Sequence, residues 1–134
     1  MMATFVMALG ISTSIIAMQQ GYKFLDTARG TTLASQIIQS EIERIRMMSW
    51  ANVTALPASQ TFDGATYFSA ATTLQGDYTM TRTMALDSTR SSDVALITIA
   101  VNWKTYDGRR QTRRFQMKYM KNGLYDYYYT LARP

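Results

Sequence analysis

Fifty residues, Met1 to Trp50, run without a proline, and the first charge among them is Lys23. Met1 to Met18 (MMATFVMALGISTSIIAM) is nearly all apolar, and Gln19 to Met48 continues as a charged, amphipathic run with no turn signal between the two halves. This pattern predicts one long helix that meets two different surroundings. At a rise of about 1.5 Å per residue, such a helix reaches roughly 75 Å, more than a small domain can cover. Half of it must lie in a membrane or against other chains. Residues 1–22 carry no charge, and about 20 residues suffice to span hydrocarbon. Ser12, Thr13 and Ser14 can return their hydroxyls to the helix backbone. No Lys or Arg precedes the stretch and no small-residue cleavage site follows it, unlike a removable signal peptide. Gly10 is a poor helix former in water, yet it permits close approach between helices in an apolar medium.

The second half, residues 23–50, is patterned. At about 100° per residue, Ala34, Ile37, Ile38, Ile42, Ile45 and Met48 fall in one arc, and Gln36, Gln39, Ser40, Glu43, Arg44 and Arg46 in the other. The dry side needs a partner, which the β-rich remainder of the chain supplies. Glu41 lies inside the apolar arc and must be paired or hydrogen-bonded there, with Arg44 at i+3 or Arg46 as the local candidates. A contact with a neighbouring subunit is the other reading of that carboxylate. Glu41 and Glu43 point to opposite sides of the helix, so they are no catalytic pair.

After Trp50 the helical pattern ends at Asn52, Pro57, Ser59, Asp63 and Gly64, and Thr, Tyr, Val and Ile recur at strand spacing. Asp77–Leu86 alternates Tyr78, Met80, Arg82 and Met84 against threonines. Val94–Trp103 places Ala95, Ile97, Ile99, Val101 and Trp103 on one face, the most apolar run outside the first helix, and is expected to be central with that face on the helix. Gln111–Lys121 sets Arg113, Phe115, Met117 and Tyr119 against Thr112, Arg114, Gln116 and Lys118. Asp107-Gly108 signals a tight hairpin between these two strands, and Asn122-Gly123 a second one leading into Leu124–Leu131. Tyr67–Leu74 is a possible extra short strand. The expected fold is α+β: a long N-terminal helix packed on a C-terminal antiparallel sheet of about four strands. Residues 51–134 form one domain with residues 23–50, and Ile38, Ile42, Ile45, Ile97, Ile99 and Val101 hold helix to sheet.

Composition narrows the chemistry. The 134 residues contain neither cysteine nor histidine, which removes disulfides, thiolate metal sites, cysteine nucleophiles and imidazole chemistry. No nucleophile, base and oxyanion set stands at a recognisable spacing, so no enzyme, cofactor or metal centre is expected. The net charge of +5 is uneven: residues 104–134 hold 8 basic and 2 acidic side chains. Arg109, Arg110, Arg113, Arg114, Lys118 and Lys121, with Tyr119, Tyr125, Tyr127, Tyr128 and Tyr129 nearby, could bind a nucleic-acid backbone with aromatic stacking. A solvated strand face with tyrosines at a sheet edge is the favoured reading, and subunit contact is a third. The Asp87–Asp93 loop offers too few oxygens at suitable spacing for Ca²⁺.

A long N-terminal helix, apolar then amphipathic, before an antiparallel sheet resembles a type IV pilin or pseudopilin. Thr31–Trp50 (TTLASQIIQSEIERIRMMSW) resembles the second half of such helices in the minor pilin and pseudopilin branch. Val94–Tyr119 (VALITIAVNWKTYDGRRQTRRFQMKY) resembles the strand, Trp, Asp-Gly turn and basic return strand of the same group. The family's processing motif is absent: its mature start carries Glu at the fifth position, where this sequence has Phe5, and no carboxylate occurs before Asp26. MMATFVMALG resembles the stretch just after that Glu, and the expectation is a chain that begins a few residues late. The resemblance implies a structural subunit held in the inner membrane and then polymerised by helix–helix packing into an extracellular filament, with pilus assembly machinery, an ATPase included, extracting it. Its partners would be copies of itself or homologous pilins, and Phe5, Val6, Leu9, Gly10, Ile11, Ile15 and Ile16 would pack the filament core. A periplasmic pseudopilus of a secretion system or a minor priming subunit is the same physics in another machine. An independent membrane-anchored binding domain is the rival class.

Overall fold

The computed structural model describes residues 2–68, 70 and 76–126. Helix α1 (Met2–Arg46) is 45 residues long and unbroken. Its hydroxyl side chains turn back on the helix: Ser12, Thr13 and Ser14 donate to the carbonyls of Ala8, Leu9 and Gly10 at 2.8–3.0 Å. Thr27, Thr31, Thr32 and Ser35 repeat the same i−4 bond. The helix ends earlier than the apolar period suggests. Ser49, in extended conformation, caps a short helix α2 (Trp50–Thr54) by accepting from the Asn52 amide at 3.4 Å. Met48 still reaches the core from the intervening turn, which is why its side chain fits the helical arc although its backbone is no longer helical.

The sheet follows: β1 (Ser59–Asp63), β2 (Tyr78–Leu86), β3 (Val94–Lys104) and β4 (Arg110–Met120), antiparallel throughout in the order β1-β2-β3-β4. The molecule is therefore α+β, with a long N-terminal helix on a four-stranded antiparallel sheet. Two strand assignments differ from the sequence reading. The first strand is Ser59–Asp63, which pairs Phe62 with Met80 and Gln60 with Arg82. Tyr67–Leu74 adds no strand at its start, because Tyr67 closes a 3-10 turn at Gly64–Thr66 and Phe68 is irregular; most of its remainder lies outside the described residues. The expected final strand Leu124–Leu131 begins instead as a helical turn, α3 (Leu124–Asp126), and residues 127–131 lie outside the described part. A two-residue hairpin of type I′ needs positive φ at both central residues. Here Asn122 alone takes it, with φ 57°. The Asp126 carboxylate then accepts from the Asn122 amide at 2.8 Å and from the Trp50 amide at 2.7 Å, fixing the chain as a turn against α2.

Alternation decides what each strand buries. On β3, Ala95, Ile97, Ile99, Val101 and Trp103 face α1, opposite Tyr119, Met117, Phe115, Arg113 and Gln111 of β4. Tyr78, Met80, Arg82 and Met84 supply the same face of β2. Against them α1 lays Ala34, Ile37, Ile38, Ile42 and Ile45, all buried. Each fully buried Ile contributes about 1.5–3 kcal/mol relative to exposure, so this stripe is the main attachment of helix to sheet. The β3–β4 hairpin has the three-residue loop Tyr106–Gly108, with Gly108 at φ 81° and the Gly108 amide donating to the Thr105 carbonyl at 2.8 Å. Glycine takes this left-handed position without the Cβ penalty.

Two phenols tie the fold to pH. Tyr119 donates its hydroxyl to the Met48 carbonyl at 2.6 Å, and burial pushes its pKa up to about 12. Burial also raises Tyr67 to about 12, helped by the Glu41 carboxylate. An unfolded phenol ionises near 10.0, so the unfolded chain loses these protons first. Stability is whole below that value and falls as pH rises from about 10 toward about 12. Denaturant midpoints measured across this window are expected to fall, and less steeply in Tyr119→Phe. A flat profile would contradict the assignment.

Candidate functional site

The two halves of α1 differ in what they touch. Phe5, Val6, Met7, Leu9, Ile11, Ile15, Ile16 and Met18 are 51–76% exposed, and Tyr22, Phe24 and Leu25 extend the series. They point in all directions around the helix, and a Cβ built on Gly10 would meet nothing within 4 Å. In one chain this surface is wholly uncovered. Its backbone is internally bonded and its hydroxyls are satisfied, as a segment in an apolar medium requires. The helix is long and apolar enough to span a membrane or to act as a signal segment.

What holds this arm at a fixed angle is the other half. The helix lies tight against the sheet at Gly30, where an added Cβ would stand 2.3 Å from Nε1 of Trp103. Trp103 stacks on Tyr78 with ring centroids 6.4 Å apart. One turn nearer the arm, Asp26 accepts from the Tyr106 amide at 2.9 Å and pins the β3–β4 hairpin to the helix. Further up, Glu41 is 3% exposed and takes three bonds: Arg44 Nε at 2.9 Å, Arg44 Nη2 at 2.5 Å, and Arg82 Nη1 from β2 at 2.5 Å. The local partner is thus Arg44, while Arg46 pairs with Glu43 on the wet side. The bonds to Glu41 raise the Arg44 pKa further. Arg82 was a visible oddity in the sequence, a lone cation in an inward-facing row with sign opposite to Glu41. Gly30 and Asp26 carry no comparable local signal.

The basic strand is divided rather than clustered. Arg114 and Lys118 stand on the outer face of β4, Arg113 on the inner face, and Arg109 and Arg110 beside the hairpin. Arg110 and Arg114, like Arg114 and Lys118, stand four positions apart on the strand, about 13 Å. Lys118 pairs with Asp87 at 3.3 Å and Arg109 with Asp107 at 3.4 Å. Tyr119 is buried with its hydroxyl committed, so it presents no face for stacking; the side chain of Tyr125 and residues 127–129 lie outside the described part. Both oxygens of Asp87 are engaged, one by the Thr89 and Arg90 amides and one by Lys118, which depresses its pKa. Among the described residues no three acidic side chains group as a metal site. A groove of about 390 Å³ lies between α1 and β4, lined by Ile38, Ile42, Arg46, Arg113 and the 44% exposed Phe115.

A long N-terminal apolar helix whose second half packs on a four-stranded antiparallel sheet is a pilin-like architecture. No protein-family model, curated protein or solved structure matches this chain.

Proposed function

We propose that this protein is a structural subunit of a type IV pilus-like filament, held in the inner membrane by residues 1–22 and polymerised by helix–helix packing. One observation carries the reading: the apolar side chains of residues 5–18 are at least half exposed on every side of α1, while the same helix is committed to the sheet from Gly30 onward. Water cannot be the working environment of such an arm. Lipid covers it before assembly, and the apolar arms of other subunits cover it afterwards, so burial against helices replaces burial in lipid. Gly10 is the place on the arm where a neighbour's backbone can come close. The pinned Gly30–Trp103 and Asp26–Tyr106 contacts keep the sheet rigidly oriented on the arm, a requirement for a repeating lattice. The function is mechanical, and the partners are further copies of this chain or of similar subunits.

Electron microscopy of sheared surface material, with mass spectrometry of its main component, tests the proposal. Helical filaments containing this chain support it. A chain found only as a monomer in the membrane fraction would instead be an independent anchored domain. A charge in the arm gives a second test. Ile11→Arg is expected to cost about 3–4 kcal/mol of membrane insertion, the arginine penalty plus the lost isoleucine contribution, roughly a few hundredfold in partition. Because Ile11 is 58% exposed and outside the core, thermal unfolding of the sheet should be unchanged. Membrane fractionation and filament yield should both collapse.

A further inference from the structure

We propose that the β3–β4 hairpin is a membrane-surface anchor that binds the anionic phospholipid headgroups of the leaflet from which α1 emerges. The proposal rests on the membrane reading above. If residues 1–22 fill the roughly 30 Å of hydrocarbon, Tyr22 lies at the boundary and Asp26 only about 6 Å beyond it along the axis. The Asp26 bond to the Tyr106 amide therefore holds the hairpin at headgroup depth. Tyr106 is 98% exposed and Tyr22 69% exposed, so neither ring contributes to the core. Tyrosine at this depth keeps its ring among the upper acyl chains and its hydroxyl in the headgroups.

The charge at this level fits an anionic leaflet. Lys23 from the helix, Lys104 and Arg110 facing each other across the strands, and Arg109 at the loop are all exposed. Lys23 and Arg109 line one cleft of about 250 Å³, with Gln20 and Phe24 also in its wall. Asp107 also lines it, but its carboxylate already accepts from the Thr105 hydroxyl at 2.5 Å and pairs with Arg109 at 3.4 Å, and it is held below the usual carboxylate pKa chiefly by the Thr105 bond. Asp26 is occupied by the Tyr106 amide. Asp77 lines the adjoining grooves with Arg29 on one side and with Lys104 and Arg110 on the other, and Arg29 offsets its charge. At this level the four cations Lys23, Lys104, Arg109 and Arg110 outnumber the two carboxylates of Asp26 and Asp107, the latter paired with Arg109, which leaves a net charge of +2. The opposite end of the sheet, the loop between β2 and β3, is far from this boundary.

The chain has no cysteine, so Tyr106→Cys can carry a single environment-sensitive fluorophore on the full-length protein. It is to be reconstituted into vesicles of phosphatidylcholine alone and of phosphatidylcholine with phosphatidylglycerol. Ile11→Cys reports insertion, and Ser91→Cys on the distal loop is the aqueous control. The expected result is a blue-shifted emission at position 106 that is larger in the phosphatidylglycerol vesicles, weakens with salt, and loses its lipid dependence in Arg109→Gln/Arg110→Gln. Each basic residue near such a surface is worth about fivefold in attraction, so the double variant should lose about 25-fold. Position 91 should stay aqueous throughout. If position 11 is inserted and position 106 is aqueous, or equal in both vesicles, the headgroup anchor is overturned while the membrane reading stands. An aqueous position 11 overturns both.

Discussion

Glu41→Leu is expected to destabilise the protein by about 3–5 kcal/mol, the cost of leaving a buried charge without its counter-ion. The charge left behind is Arg82, 1% exposed, whose other hydrogen bond runs to Gln60 Oε1 at 2.6 Å and whose guanidinium lies 5.2 Å from the Phe62 ring centre. Neither neighbour neutralises it. Arg82→Met should cost less, because Glu41 keeps its two bonds to Arg44. Glu41→Leu/Arg82→Met removes both buried charges and replaces them with apolar volume, so it should recover most of the loss. Guanidinium unfolding in detergent, followed by circular dichroism, measures all three variants. Single losses that simply add in the double variant would mean that the two residues do not act as a pair.

The pair also shows which part of the structure a sequence can carry. The arc on α1 exposes the problem, a carboxylate among isoleucines, but the local pattern offers only Arg44 and Arg46 as answers. Arg82 arrives through the β2 register, a relation between residues 41 apart that no periodicity encodes. Strands β2 and β3 were legible because β-branched and aromatic residues recur there at period two over nine or more positions, and β4 because Phe115, Met117 and Tyr119 alternate with polar side chains. Strand β1 was not. Its five residues, SQTFD, include Ser and Asp, which also favour turns, and only its pairing with Thr79–Thr83 makes it a strand. Likewise Asp107-Gly108 and Asn122-Gly123 look equally like hairpins. The first becomes one because Gly108 takes φ 81° between two long strands, whereas the second is captured as a helical turn by Asp126. The exposed apolar arm was the most legible feature of all, since a stretch without charge or period has no dry side to offer a sheet. Its consequence, that the sheet must be held at a fixed attitude to it, depends on a contact that the sequence hides.

That contact makes Gly30→Leu the second severe substitution, with an expected loss of about 3–5 kcal/mol, comparable to truncating a buried aromatic. A Cβ at position 30 would stand 2.3 Å from Trp103 Nε1, 2.9 Å from Cδ1 and 3.2 Å from Cε2, and the rest of a leucine would overlap the ring. Trp103 cannot step aside cheaply. It is 5% exposed, and its stack on Tyr78 is backed by Phe68 with centroids 5.3 Å from those of Tyr78. Either the indole leaves this stack or the helix lifts from the sheet, and the arm then loses its orientation. Gly30→Ala meets the same first clash without the added bulk, and should cost about 1–3 kcal/mol even though alanine favours helix by about 1 kcal/mol. Gly21→Ala separates the two effects: a Cβ added there would meet nothing within 4 Å, so it should be neutral or slightly stabilising in the helix. Denaturant unfolding gives the energies, and the near-ultraviolet circular dichroism of the Trp103–Tyr78 stack shows whether the indole has moved. A Gly30→Leu protein as stable as the unaltered chain, with that signal intact, would show that the helix and sheet meet elsewhere.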